Sequence, residues 1–282
     1  MKLRRTKSRG LKRTGRVLAV ILAGAFGYTA YVYLTLPDVR PLRTTNPKTT
    51  AFMELRASEA HARGMPDVRD RRWVPYARIS QNLKRAVIVT EDSAFWKHEG
   101  IDYVQLREAM EENLERLEFA RGASTITQQL AKNLYLSPSK NPMRKLRELL
   151  ITRRLEAELT KQRILELYLN VIEWGDGVWG AEAAARHYFH KPAADLSPGE
   201  SALLAAAIAN PHIFDPGHPS ARLHRRQEMI MGRMGAVTPP PVVAPPTEAP
   251  IIAVPELPTA APVIMPGSIL PPEKPPKKSG GG

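Results

Sequence analysis

The chain has 282 residues, 41 Lys and Arg against 28 Asp and Glu, a formal charge of +13 and 43% hydrophobic residues. That length and apolar content suit one sizeable globular domain with appendages. Cysteine is absent, which excludes a disulfide framework, a Cys-ligated zinc and a thiol nucleophile.

The first 16 residues carry eight basic side chains and no acidic one; outside them 33 basic residues face 28 acidic, so the body is only mildly basic. The run Val17 to Leu36 follows, 20 residues without a charge, with Tyr28, Tyr31 and Tyr33 toward its end. Twenty apolar residues at about 1.5 Å each span a hydrocarbon core of about 30 Å. The basic flank predicts a single-pass anchor in the inner (cytoplasmic) membrane, with residues 1–16 cytoplasmic and everything beyond Pro37 outside, in the periplasm. A cleaved signal peptide is the alternative, although its apolar core is normally shorter. The basic N-terminus therefore reads as a topology signal touching lipid headgroups, and nucleic acid is not expected as a partner.

Residues 37–75 read as an irregular lead-in with prolines at 37, 41, 47, 66 and 75. From residue 76 to 235 the pattern is helical, without an alternating strand pattern of useful length, so a mainly α domain is expected. In "AVIVTEDSAFWKHEGID", Glu91 follows an apolar run and precedes Phe95 and Trp96. A carboxylate in such a wall is pushed toward neutral pKa and suits acid–base work. Asp92 beside it could equally form an ion pair, cap a helix or ligate a metal, and His98 reads as a hydrogen-bonded structural histidine.

In "RGASTITQQLAKNLYL", Thr125 and Gln128 form a capping box opening a helix. Ile126, Leu130 and Leu134 would face the core, while Gln128 and Lys132 share another face. The first-turn N–H groups and hydroxyls, with Lys132 one turn on, suit an anion; a capped helix with a solvated polar side fits equally well. In "SKNPMRKLRELLITRRLEAEL", Asn141 is expected as N-cap and Pro142 as the first helical residue. Arg144 and Glu148, four apart, share a stripe with Ile151, Leu155 and Leu159, and Met143, Leu146, Leu150 and Ala157 line the other side. Both sides are expected to be partly buried. Lys140, Lys145 and Arg147 add charge that suits a diphosphate, although an ordinary surface ion pair between Arg144 and Glu148 remains open. Ser197, Pro198 and Glu200 start a further helix, and Glu200 is read as a capping residue. Residues 236–282, with 14 of the 26 prolines from 237 on, read as a disordered tail, or as a spacer or docking segment for another envelope protein.

Taken together, "EDSAFWKHEGID", "GASTITQQLAKNL", "RKLRE", "ILELYLN" and "YFHKPAADLSPGESALLAAAIANP" resemble the peptidoglycan glycosyltransferases (glycosyltransferase family 51), and among them the monofunctional biosynthetic peptidoglycan transglycosylases. The resemblance covers roughly residues 75 to 235. It implies a lysozyme-like larger lobe plus a small lobe resting on the membrane, for which residues 103–121, with Met110, Leu114, Leu117 and Phe119, are the candidates. It also implies polymerisation of lipid II with undecaprenyl diphosphate leaving. By motif, Glu91 looks like the general base on the acceptor 4-hydroxyl, and Glu148 like the second glutamate, which assists diphosphate departure. Ser124, Gln128, Gln129 and Lys132, with Lys140 and Arg144, are similar to the substrate-contact positions. Glu166 and Asn170 read as fold support. Ala94 stands where many relatives carry a basic residue, a contact that Lys97 would have to supply, and Ala123 stands where a second glycine is common. A divalent cation, Mg or Mn, would fit beside the diphosphate, although no dedicated metal-ligand motif is visible. Lipid II, the growing strand, the membrane and cell-wall synthesis or division proteins are the partners this implies. A lysozyme-like glycan hydrolase or lytic transglycosylase is the competing enzyme reading; a tethered scaffold is the non-enzymatic one.

Overall fold

The computed structural model describes residues 4–116, 123–137 and 142–235. It begins with the long helix α1 (Arg4–Leu34), of which Gly15–Leu34 is long and apolar enough to cross a membrane. Residues 37–75, expected to be irregular, contain the helix α2 (Ala51–Ala62), started by Thr50, whose hydroxyl accepts from the Met53 N–H, and the short strand β1 (Asp70–Arg71). The prolines that suggested an irregular lead-in lie outside α2.

Next come α3 (Gln81–Glu91), α4 (Tyr103–Arg116), α5 (Ile126–Tyr135), α6 (Pro142–Glu158) and α7 (Lys161–Val171), then the strands β2 (Glu173–Gly175) and β3 (Val178–Trp179). The helices α8 (Ala181–Phe189), α9 (Pro198–Ala207) and α10 (Ala221–Arg233) complete the described part. The strands form a small sheet of order β1-β3-β2, parallel between β1 and β3 and antiparallel between β3 and β2. At two or three residues each they are too short to leave an alternating pattern in the sequence.

Helices α3, α5, α7 and α9 supply most of the core. Leu83, Val87 and Ile88 of α3, Ile126 and Leu130 of α5, Ile164, Leu165 and Leu169 of α7, and Leu204 of α9 are fully buried. Each such side chain contributes about 1.5–3 kcal/mol. The alanines 202 and 205–207 of α9 are also buried and let α3 and α10 approach it closely. The capping boxes expected at Thr125/Gln128 and Ser197/Glu200 are present. Asn170 ties α7 to the lead-in: its amide oxygen accepts from Val74 N–H at 2.9 Å and its amide nitrogen donates to the Val74 and Glu166 carbonyls. Glu166 accepts from Tyr76 N–H at 3.1 Å. Both are thus fold-support residues.

The α6 helix differs from expectation. Its Glu148, Ile151, Leu155 and Leu159 side is buried, but Met143, Leu146 and Ala157 on the other side are exposed and Leu150 is half-buried. That side faces away from α5 and α7, the helices that cover the buried stripe. Arg147 does not join the Glu148 cluster; it donates to the Thr35 carbonyl at 3.0 Å, and Arg154 donates to Tyr33, Leu36 and Pro37 carbonyls and lies 4.8 Å from the Tyr33 ring centre. Basic side chains suit the C-terminal end of α1, where carbonyls are left unpaired. These two arginines connect α6 to the end of the apolar helix.

Candidate active site

Glu91 is the last residue of α3, where the negative end of the helix dipole meets a half-buried carboxylate. Gln129 Nε2 donates to Glu91 Oε2 at 2.8 Å, and the buried Tyr168 hydroxyl donates to Gln129 Oε1 at 2.9 Å. Burial pushes the Glu91 carboxyl up from the ordinary glutamate range; the Gln129 hydrogen bond and the charges of Arg226 and Lys132 oppose this, and Asp92 adds to it. A proton acceptor near neutral pH needs this upward push.

Asp92 does something different from Glu91. Its Oδ1 meets His98 Nε2 at 2.8 Å and its Oδ2 accepts from the Ile126 N–H, the first of α5, at 3.0 Å. Because Gly100 N–H donates to His98 Nδ1 at 3.1 Å, the imidazole carries its proton on Nε2 and donates to Asp92. The Ile126 N–H at the α5 start is therefore taken by the protein's own carboxylate, beside the Thr125/Gln128 capping box. The first-turn hydroxyls are used as well: Thr125 donates to the Gly100 carbonyl at 2.7 Å and Thr127 to Glu156 at 2.5 Å.

Positive charge gathers one turn further along. On α6, Arg144 Nη1 donates to Glu148 Oε2 at 2.8 Å and Lys145 to Glu148 Oε1; Glu148 is buried. Lys132 of α5 lies 5.5 Å from the Phe52 ring centre of α2. Burial pushes its ammonium down; Glu148 opposes this, Arg144 and Lys145 add to it, and Glu91 opposes it. Lys132 thus sits in the field of both glutamates, although they are far apart in the chain. Gln128 is buried with its Oε1 accepting from Thr125 N–H at 3.1 Å, which leaves its Nε2 as the donor for other partners. Ser124 is exposed and lines, with Ala123, Gln128, Lys145 and Leu146, a cavity of about 480 Å³. Lys140 lies outside the described residues. Ala94 and the exposed Lys97 line, with Ser93, a cavity of about 660 Å³.

Two residues of this region, Arg226 and Tyr168, escaped the sequence reading as site members, whereas Lys145 was already read as added charge beside Glu148. Arg226 lies three residues after the buried Leu223 and four before the buried Ile230, which puts it on the inner stripe of α10. Tyr168 gave no signal beyond helical periodicity. Among the described residues, two groups of side chains bring carboxylate and imidazole atoms within 4.8 Å of one another: Asp92, His98 and Asp102, and Glu173, Asp176 and His212. In the first, both Asp92 oxygens already accept hydrogen bonds, and Asp102 Oδ1 accepts from Gln105 N–H. In the second, the Arg56 guanidinium contacts both Glu173 and His212 and holds the cation position.

The family model described as Transglycosylase matches residues 58–235, more than half of the chain, starting inside α2. The chain belongs to the transglycosylase family. The biosynthetic peptidoglycan transglycosylase of Laribacter hongkongensis is 50% identical over 231 residues, 82% of this chain and 100% of that one. Proteins of the same name from Nitrosomonas eutropha and Dechloromonas aromatica are 48% and 44% identical, over 78% and 82% of this chain and 88% and 100% of theirs. The resemblance in the sequence motifs and the mainly helical, lysozyme-like fold class agree with this membership, and the transglycosylase is an enzyme of glycan polymerisation in cell-wall synthesis.

Proposed function

We propose that this transglycosylase polymerises lipid II into β-1,4-linked glycan strands and releases undecaprenyl diphosphate. The observation that carries the reading is Lys132, held in the field of both Glu91 and the Arg144–Glu148–Lys145 cluster. In this reading Glu91 takes the proton of the acceptor 4-hydroxyl. The freed oxygen attacks C1 of the MurNAc at the growing end, the C1–O bond to diphosphate breaks, and α becomes β. The bond electrons pass to the departing diphosphate oxygen. Lys132, Arg144 and Lys145 face that charge, with Lys140 as a further cation, and Glu148 keeps the cations in place. Preorganised donors of this kind are worth about 3 kcal/mol of barrier each. Ser124, Gln128 and Gln129 contact the diphosphate-sugar.

The membrane placement belongs to the same reading. Residues 1–16 form a cytoplasmic segment, Val17 to Leu36 an inner-membrane anchor and residues 76–235 the external domain, joined by 37–75 and followed by the tail 236–282. Support comes from the apolar span Gly15–Leu34 and from the exposed Tyr103, Val104, Met110 and Leu114 of α4, an apolar face suited to a bilayer surface. Leu117 and Phe119, expected on the same region, lie outside the described residues.

The test is lipid II turnover by the full chain in detergent, with Glu91→Gln as the variant. The expected result is folded protein without polymerisation. Turnover equal to the parent would remove Glu91 from the chemistry. Solubilisation of finished cell-wall sacculi without use of lipid II would favour the hydrolase instead.

A further inference from the structure

The route from α7 to the base is short. Tyr168 is fully buried, and among the described residues its hydroxyl has one acceptor, Gln129 Oε1 at 2.9 Å. The other end of the same amide donates to Glu91 Oε2 at 2.8 Å. The three residues come from three helices, α7, α5 and α3, and their order is fixed by donor and acceptor chemistry. An amide has one accepting end and one donating end. With the phenol proton on Oε1, the NH₂ group must face Glu91; with the amide turned over, a buried hydroxyl would lose its acceptor and an amide oxygen would face a carboxylate. We propose that Tyr168 is a positioning residue: its hydroxyl sets the amide of Gln129, and the set amide holds the Glu91 carboxylate ionised and aimed. The proposal rests on the reading of Glu91 as the base.

The phenol stays protonated throughout the working range, since burial, and then the charges of Glu91 and Asp92, raise its pKa well above the ordinary tyrosine value. It is therefore a constant donor while Glu91 titrates. Removing it frees the amide to turn its oxygen toward Glu91. That favours the protonated carboxyl, so the base becomes available only at higher pH.

The experiment uses the full chain in detergent with lipid II, and compares parent, Tyr168→Phe, Gln129→Ala and the double variant from about pH 5 to 9. Tyr168→Phe keeps the buried ring, and a melting curve checks that it folds. The expected result is an acid limb of kcat/KM moved up by about half a pH unit or more, kcat down about tenfold and KM within about twofold. In the Gln129→Ala background the same substitution should change nothing further, because the hydroxyl acts through that amide. An unmoved acid limb in folded Tyr168→Phe, or an equal extra loss in the Gln129→Ala background, would overturn the proposal. Should Tyr168→Phe not fold, 3-fluorotyrosine at position 168 keeps the ring and strengthens the donor; the acid limb should then move down, and an unmoved limb counts against the proposal. Glu91→Gln in the same assay separates the two readings: if it is active, the base assignment itself fails, whereas an inactive Glu91→Gln with an unmoved Tyr168→Phe limb removes only the role of Tyr168.

Discussion

Replacing Asp92 by Asn tests whether the two adjacent acids at the end of α3, Glu91 in its last position and Asp92 as its cap, do one job or two. The carboxylate, itself buried, gives one oxygen to His98 Nε2–H in a part-buried contact and the other to the Ile126 N–H in a buried one. Asn offers a single accepting oxygen. If it serves His98, the Asn NH₂ group points at the Ile126 N–H; if it serves Ile126, the imidazole proton is orphaned, because Nδ1 is already taken by Gly100 N–H. Either way one buried donor loses a charged acceptor, at about 2–3 kcal/mol. The lost negative charge at the α5 N-terminus costs about 0.5 kcal/mol more. A total of about 3 kcal/mol lowers Tm by roughly 6–12 °C for a domain of this size. The assay is circular-dichroism melting of the purified chain, paired with lipid II turnover well below the melting range. Asp92→Asn should melt early yet retain most of its turnover when cold. An unchanged Tm with turnover as low as that of Glu91→Gln would refute the reasoning, because the carboxylate would then be acting in the chemistry and not as an anchor for α5.

The remaining predictions separate stability from catalysis in the same way. Glu91→Gln should melt at or above the parent at pH 7: the folded-state pKa is raised, so the ionised form costs stability in full above that pKa, and the cost shrinks as pH falls below it and is gone below the unfolded-state pKa. A lower Tm at pH 7 would contradict this sign. Glu148→Gln should cut turnover severely, since Arg144 and Lys145 lose the carboxylate that orients them, and unchanged kinetics would remove that role. Gly180→Ala should destabilise by about 2–4 kcal/mol in a denaturant titration, because φ is +86° and the added Cβ would lie 2.8 Å from the Asn170 carbonyl oxygen; a change below about 0.5 kcal/mol would mean that the β3–α8 turn relaxes freely.

The helices were legible because their signals are local. Thr125 and Gln128 stand three apart, Ile126, Leu130 and Leu134 repeat at four, and Pro142 opens α6 where the sequence places it. Residues 37–75 were misread for the converse reason: α2 has a Thr cap but no clear apolar stripe, and its single buried residue, Met53, gains its meaning only from the rest of the fold. The strands were invisible because two residues cannot show a period of two.

The candidate site could be read from the sequence as a set of proposed residues and not as an arrangement. Spacing along a helix relates Arg144 and Lys145 to Glu148, and it does nothing to relate Asp92 to Ile126 or Tyr168 to Gln129, which are brought together by packing of α3, α5 and α7. Of the two readings open at the α5 start, anion site and capped helix, local signals could not choose, for a helix start with capping hydroxyls attracts an anion whether that anion is a ligand or a neighbouring aspartate. With the Ile126 N–H taken by Asp92, the proposed reading leaves the diphosphate to side-chain cations. In that reading a cradle built from Lys132, Arg144 and Lys145 has a consequence that a backbone cradle lacks. Its charge has to be kept in place by a carboxylate when no substrate is bound, and Glu148, buried between Arg144 and Lys145, occupies the position where that requirement is met.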